Sequence, residues 1–337
     1  MRVLILAGGD SSEREVSFRS GRAVFTALIE RGHQVVALDP ATGQSLIDRQ
    51  GRYLTELPAA GHSALPVGRG VVDLLSILHG DPYKEVECAF LTLHGGTGED
   101  GTMQRLLDLT GLPYTGSGAI ASTVAMDKAF CKHICRSLGI GTPRWQLHRR
   151  PSGRIDQELH DALALDFDLP FIIKPNDSGS TVGLTRVESI EQITPALIEV
   201  MGETTNILAE EYVAGRELTV AVLDGRALPV VEIVPAKGLY DYEAKYTKGG
   251  SRYFCPADIP EGLRDTLQHE SVRLYSTLGC SGVARVDFIV DREDRPWCLE
   301  LNTLPGMTEL SLVPMAAGAD GVEFTELIER MLRSGLK

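Results

Sequence analysis

The sequence predicts an α/β protein built on more than one sheet, and three stretches carry that expectation. Residues 2–40 read strand, glycine turn, helix, strand, which is half of a doubly wound, Rossmann-like sheet. Residues 169–187 read strand, small-residue loop, strand. Residues 282–302 read as a β-hairpin with charged residues at alternate positions. At 337 residues the chain has room for two or three domains with substantial cores. Its 43% hydrophobic and 23% charged content is ordinary for a soluble protein.

Charge narrows the functional classes. The 33 Lys and Arg are outnumbered by 46 Asp and Glu, for a net −13, which argues against general affinity for nucleic acid or anionic membranes. A phosphate-bearing ligand would need locally concentrated cations, so each Lys or Arg beside a glycine loop is informative. The apolar run at 3–7 is too brief for a signal segment, and no run approaches membrane-spanning length. Six cysteines (Cys88, Cys131, Cys135, Cys255, Cys280, Cys298) are scattered, with no Cys-x-x-Cys and no His at zinc spacing. A reduced, cytoplasmic protein is the expectation.

In chain order, residues 2–7 form a buried strand, Gly8-Gly9-Asp10-Ser11-Ser12 the turn, and a helix runs to about Glu30. Ser12 and Glu15 fit a capping box at its start. Ligands of doubly wound sheets sit beyond the carboxyl ends of the strands, where Glu13 lies. Glu13 could equally do no more than favour the helix N-terminus electrostatically. Residues 41–85 are polar connections around a helix near 71–78. Residues 89–93 are another buried strand, ending in the glycine-rich loop 94–101, where His94 is either a ligand contact or a satisfied loop histidine. Helices follow at 102–110 and, carrying Met126-Asp127-Lys128, up to Leu138.

The second α/β region centres on strand 169–175 with Lys174, the loop Asn176-Asp177-Ser178-Gly179-Ser180-Thr181, and strand 182–187. No Walker loop is present, because Lys174 precedes the glycine loop. Backbone N–H groups and hydroxyls of such a loop can still reach phosphate oxygens, although an ordinary mobile turn has the same composition. Strand 207–213 carries Glu210 and Glu211, and strands 218–223 and 228–234 continue an antiparallel pattern. Residues 236–256 lack periodicity yet hold Tyr240, Tyr242 and Tyr246, which suits a lid better than disorder. A helix at 263–278 leads into the hairpin, and an amphipathic helix at 322–332 closes the chain.

On the hairpin, a period of two places Arg285 and Asp287 on one face of the first strand. Glu300 and Asn302 share a face of the second, with Trp297, Leu299 and Leu301 turned the other way. A turn about Glu293 sets Asp287 opposite Glu300. Three oxygen donors then converge beside a guanidinium, a set that suits Mg²⁺. A solvated edge hairpin would show similar charges.

Taken together, these residues resemble the ATP-grasp carboxylate–amine ligases, and within them the D-alanine–D-alanine ligase family. The resemblance runs in order through GGDSSEREVS at 8–17, LHGGTGEDGTMQ at 93–104, GLPYTGSG at 111–118 and MDK at 126–128. It continues through IIKPNDSGSTVG at 172–183, YDYEAKY at 240–246, GVARVDF at 282–288 and ELNTLPGMTELSLVPMA at 300–316. It implies an ATP-grasp fold of three α/β domains: an N-terminal pre-ATP-grasp substrate domain (1–116), a central domain with the glycine-rich loop (117–212), and a C-terminal domain with metal site and lid 236–256 (213–337). The implied activity is ATP-dependent joining of two D-alanines through an acyl phosphate, for peptidoglycan and cell-wall synthesis. A sister ligase with D-lactate or another D-amino acid as acceptor is the alternative.

The resemblance also implies roles. Asp287, Glu300 and Asn302 would hold two Mg²⁺ ions, with Mn²⁺ able to substitute, on ATP bound by Lys128, Lys174 and the loop Ser178, Gly179, Ser180 and Thr181. Glu210, Glu211, Val213 and Glu217 would take adenine and ribose, with Lys245 also at the nucleotide or at the second carboxylate. Glu13, with His94 near it, would bind the first D-alanine, Arg285 and the Gly306 N–H the oxyanion, and Ser311 the second carboxylate. Ser180 and Tyr246 would link the central domain and lid to Glu13. A homodimer is implied, with no nucleic-acid or membrane partner. Two departures stand out: Asp177 replaces an arginine of many relatives, and Glu309-Leu310 stands where some have Ser-His.

Overall fold

A computed structural model of the protein describes residues 1–57, 74, 76–150, 157–179, 183–236, 249–308 and 311–336. The first sheet has strand order β3-β2-β1-β4, formed by Arg2–Leu6 (β1), Gln34–Asp39 (β2), Gln44–Ser45 (β3) and Cys88–Leu91 (β4). β1 lies parallel to both β2 and β4, because its RVLIL run can be buried on both faces. The chain therefore leaves β1 for one neighbour and returns on the other side. That switch point opens a crevice beyond the strand ends, where the 8–13 turn and the 93–96 loop meet.

Helix α1 (Arg14–Glu30) follows the turn. The expected Ser12/Glu15 capping box does not form: Glu13 is the N-cap residue and makes no side-chain cap bond. Its carboxylate is 7% exposed and turned into a cavity instead. Ser17 Oγ accepts from the Gly8 N–H at 2.8 Å and so ties the turn to the helix. Gly8 has φ +92°, and a Cβ there would sit 2.8 Å from Asp39 Oδ1, so both backbone and space demand glycine.

After α2 (Gly96–Glu99) and α3 (Thr102–Thr110), the single helix expected through Lys128 is two: α4 (Ala119–Met126) and α5 (Lys128–Ser137). Asp127 breaks them, with ψ 93°, and caps α5 by accepting from the Phe130 N–H at 2.9 Å. The second sheet, ordered β5-β8-β6-β7, comprises Trp145–Arg149 (β5), Phe171–Pro175 (β6), Thr185–Val187 (β7) and Asn206–Glu211 (β8). Helices α6 (Gln157–Asp166) and α7 (Ile193–Met201) bury Leu159, Leu163, Ala196, Leu197 and Val200 against its apolar face.

The third sheet is built around Arg216–Leu223 (β9), with Arg226–Ala227 (β10), Val231–Pro235 (β11), Ser251–Phe254 (β12), Val283–Val290 (β13) and Pro296–Asn302 (β14). Its main path is β12-β11-β9-β13-β14. Part of the segment expected to be aperiodic is thus a strand: β12 pairs antiparallel with β11, Glu232 opposite Phe254 and Pro235 opposite Ser251. As an edge strand it leaves Arg252 and Phe254 exposed, which hides its alternation from a hydrophobicity reading. The proposed lid residues 237–248 lie outside the described residues, as do 71–73 of the expected helix near 71–78. Helix α8 (Glu261–Thr277) covers one face of the sheet, and α9 (Leu312–Ala319) and α10 (Phe324–Ser334) pack on the other, in a core shared with the first sheet.

The β13–β14 hairpin has the expected pairing, with Asp287 opposite Glu300 and Arg285 opposite Asn302. A bulge after Asp287 then pairs Phe288 with Cys298 and leaves Leu299 as the extra residue. The expected common face of Trp297, Leu299 and Leu301 is therefore incorrect. Leu301 shares the apolar core with Cys298 and Phe288, whereas Trp297 Nε1 donates to Asp291 at 3.0 Å.

Candidate active site

A cavity of about 110 Å³ lies where the crevice of the first sheet meets the hairpin of the third and the loop after β6. Glu13, His94, Lys128, Ser178, Gly179, Arg285, Glu300, Asn302, Gly306 and Ser311, ten residues singled out from sequence, all line it. They come from all three sheets. A Cβ on Gly179 would lie 2.9 Å from Glu13 Oε2, so the glycine loop closes directly onto the first sheet. Ser311 Oγ accepts from the Thr308 N–H at 2.9 Å, and a Cβ on Gly306 would meet that oxygen at 2.8 Å.

The cation arrangement follows from two anchors. Asn176, after β6, accepts the Lys128 N–H on its carbonyl at 3.1 Å and the Ala129 N–H on Oδ1 at 2.8 Å. This fastens the start of α5, and Lys128 Nζ then donates to Ser178 O at 2.6 Å and lies 3.4 Å from Glu300 Oε2. Lys174 pairs with Leu208 while Ile172 pairs with Glu210, so Lys174 and Glu210 are diagonal neighbours on one face. Lys174 Nζ donates to Glu210 Oε1 at 3.1 Å.

Lys132, one turn beyond Lys128, completes a buried trio at 2.6 Å from Glu210 Oε2, an ion pair without good hydrogen-bond alignment. Its ammonium donates to Thr142 Oγ1 at 2.8 Å. Burial alone would raise the Glu210 pKa, but the two lysines hold it below the ordinary value, and burial lowers that of Lys132. Lys132 was not singled out from sequence; its i+4 spacing from Lys128 was the available signal.

On the hairpin, Asp287 Oδ1 accepts from Thr219 Oγ1 at 2.6 Å and from Arg285 Nε at 2.8 Å, and its Oδ2 accepts from Arg285 at 2.7 Å. Among the described residues no three His, Cys, Asp or Glu side chains form a metal cluster. The hairpin set is two carboxylates and one amide, all hard oxygen donors, and so fits Mg²⁺ in kind. Asn302 Oδ1 accepts from the Leu304 N–H at 2.9 Å, which fixes the side chain and the start of the following loop together.

Asp287, Lys174, Glu210, Glu211, Val213 and Glu217 are not among the residues lining this cavity; Glu211 ends β8, Val213 follows it and Glu217 lies on β9. Ser180, Thr181, Lys245 and Tyr246 lie outside the described residues. The Asp177 departure has a local explanation: its carboxylate accepts from Thr204 Oγ1 at 2.8 Å and Asn206 Nδ2 at 2.7 Å, so it fastens the loop to the start of β8.

Sequence reasoning also missed Arg19, Glu99 and Thr308, which line the cavity. Glu99 sits inside the glycine-rich loop that was read for its backbone. Burial, reinforced by the Glu13 charge, pushes its carboxyl up to about 7, although the Gly95 N–H donates to it at 2.9 Å. The folded state thus holds a proton that the unfolded chain has lost, and stability falls as pH rises from about 4.5 to about 7. Glu99→Gln is expected to remove that loss, on the order of 2–3 kcal/mol. Urea denaturation of both proteins at pH 5 and pH 8 checks it; parallel losses in the two would contradict the assignment.

The chain matches two family models, described as D-ala D-ala ligase N-terminus over residues 2–117 and D-ala D-ala ligase C-terminus over residues 134–333. It is 40% identical to a D-alanine–D-alanine ligase of Syntrophotalea carbinolica, over 98% of this chain and 95% of that protein. It is 43% identical to one of Aquifex aeolicus, over 97% and 98%. The Bacillus anthracis D-alanine–D-alanine ligase complexed with ATP superposes with a TM-score of 0.75 at 28% identity, covering 100% of this chain and 97% of that one. The Coxiella burnetii D-alanine–D-alanine ligase gives 0.80 at 25% identity, covering 100% and 94%.

Proposed function

The chain belongs to the D-alanine–D-alanine ligase family, and on that premise we propose that it joins two D-alanines at the expense of ATP, releasing ADP and phosphate, to make a peptidoglycan precursor. One observation carries the reading: acidic, cationic and backbone groups from three sheets face a single cavity. We read residues 1–116, 117–212 and 213–337 as the three domains that supply them. The protein is read as cytoplasmic and homodimeric.

A carboxylate is a poor acyl donor, so the first D-alanine is phosphorylated by ATP. The neutral amine of the second attacks the acyl phosphate, and the tetrahedral oxyanion collapses with loss of phosphate. Glu13 accepts the ammonium of the first D-alanine, with His94 behind it. Lys128, held by Asn176, and Lys174 take phosphate oxygens, and residues 178–181 cover them. Glu210, Glu211, Val213 and Glu217 take adenine and ribose. Arg285 and the Gly306 N–H donate to the oxyanion, while Ser311 and Lys245 receive the second carboxylate. Asp287, Glu300 and Asn302 would hold Mg²⁺, which when bound supplies charge neutralisation to the phosphates. Positioning and charge suffice for phosphoryl transfer, so no protein nucleophile is required. Excluding water protects the acyl phosphate, which is the purpose assigned to residues 236–256 with Tyr246 and Ser180.

Phosphate release with ATP, Mg²⁺ and a panel of D-amino and D-hydroxy acids tests the proposal. D-Alanine alone is expected to support release, with D-alanyl-D-alanine as product by mass spectrometry. In competition with D-lactate the amide should predominate increasingly as pH rises towards the ammonium pKa of the acceptor. Ester as the main product at every pH would reassign the acceptor, and release independent of any D-amino acid would overturn the reaction.

A further inference from the structure

Ser20 is buried completely on the inner face of α1, outside every motif role assigned above, yet its hydroxyl touches two distant parts of the chain. Its Oγ lies 3.3 Å from His94 Nε2 and accepts from the Met307 N–H at 3.2 Å. On the other side of the imidazole, His94 Nδ1 is 3.0 Å from Leu304 O. A carbonyl oxygen only accepts, so Nδ1 carries the proton. In the neutral ring Nε2 is then an acceptor, and the Ser20 hydroxyl must donate to it. The same hydroxyl still has lone pairs for the Met307 N–H. Every donor and acceptor in this buried chain is matched, and only one proton arrangement matches them.

The chain has a mechanical consequence. Leu304 and Met307 flank Gly306, whose N–H is read above as an oxyanion donor. One end of this short loop is held by His94 and the other by Ser20. Both holders belong to elements that flank the first sheet, α1 and the loop after β4, while the 304–307 loop continues from β14 of the third. We infer that Ser20 is a positioning residue for the ligase reaction: it donates to Nε2 of the Nδ1–H tautomer that Leu304 O selects and clamps the 304–307 loop, so that Gly306 and His94 keep a fixed relation across the cavity. This rests on the ligase reading for its effect on turnover, but the tautomer and the clamp stand on geometry alone.

The test combines two readouts on Ser20→Ala and Ser20→Thr. Long-range ¹⁵N–¹H NMR of histidine-labelled protein reports the His94 tautomer without any turnover. The wild type should show protonated Nδ1 and a bare, hydrogen-bonded Nε2; Ser20→Ala should keep Nδ1–H, which Leu304 O holds, but move the Nε2 resonance to that of an acceptor without a donor, and Ser20→Thr, which keeps a hydroxyl, should show the wild-type pattern. Turnover of Ser20→Ala should fall about tenfold, the size of one or two lost hydrogen bonds. The KM for ATP should stay unchanged, and Ser20→Thr should recover most of the loss. An unchanged Nε2 resonance in Ser20→Ala would overturn the inference whatever happens to activity. Equal losses in the alanine and threonine variants, tracking a common fall in melting temperature, would overturn it in favour of simple packing. If no variant or wild type turned over D-alanine, the ligase reading would fail, while the NMR result would still decide the Ser20–His94 bond.

Discussion

Replacing Glu300 by Gln is expected to lower turnover by on the order of 10²–10³ while leaving the fold intact, the loss usual for one preorganised charge at a reacting centre. Glu300 stands opposite Asp287 on the hairpin, beside Asn302, and 3.4 Å from Lys128. Its side chain is 29% exposed, so the neutral amide needs no costly burial and the melting temperature should hardly move. What disappears is negative charge at the centre of the oxygen-donor set, where the proposed function places a cation against phosphate. Phosphate release at saturating Mg²⁺, with circular dichroism as a control on folding, measures the effect. Near-normal release would remove Glu300 from the centre of the site.

Glu210→Gln should do the reverse, costing stability first, by about 3–5 kcal/mol, the penalty of leaving buried charge unpaired. Lys132 and Lys174 have side chains only 1% and 8% exposed and both lean on Glu210, so an amide would leave two ammonium groups facing each other in the interior. Lys132→Met should be milder, because Glu210 keeps Lys174 and the remaining pair is neutral. Urea midpoints for the two variants give the order directly, and a smaller loss for Glu210→Gln than for Lys132→Met would contradict the charge balance. The lowered folded-state pKa of Glu210 adds a pH signature. Its contribution is present above the unfolded value of about 4.5 and is lost as pH falls through the folded value.

Glu210 shows why a ligand role and a structural role are hard to separate from a strand pattern. From sequence it is one of two acids ending a strand, and its carboxylate points wherever the sheet turns it. In the folded protein the register of β6 against β8 brings Lys174 beside it, and α5 supplies Lys132. Any nucleotide contact at this position therefore involves a carboxylate already shared by two lysines. Lys174, read as a phosphate ligand, likewise has a structural partner.

The strand–turn–helix–strand opening, the Asp287/Glu300 pairing and the family motifs were legible in the sequence because each rests on local periodicity or on identity within a few residues. A period of two needs only the pleat, and a glycine turn needs only its own φ. The errors arose where a distant partner decides. The bulge after Asp287 shifts Trp297 off the apolar face, the break at Asp127 is fixed by Asn176 across from it, and β12 exists because β11 offers an edge. The site divides in the same way. Sequence alone identified which side chains have the chemistry, since carboxylates, lysines and small-residue loops declare it by type. Only the tertiary structure could decide that Glu99 is buried beside Glu13, that Lys132 joins Glu210, and that Ser20 bridges His94 and Met307. These depend on burial and on contacts between residues as much as 287 positions apart, where the low dielectric of the interior sets pKa values and requires hydrogen-bond partners.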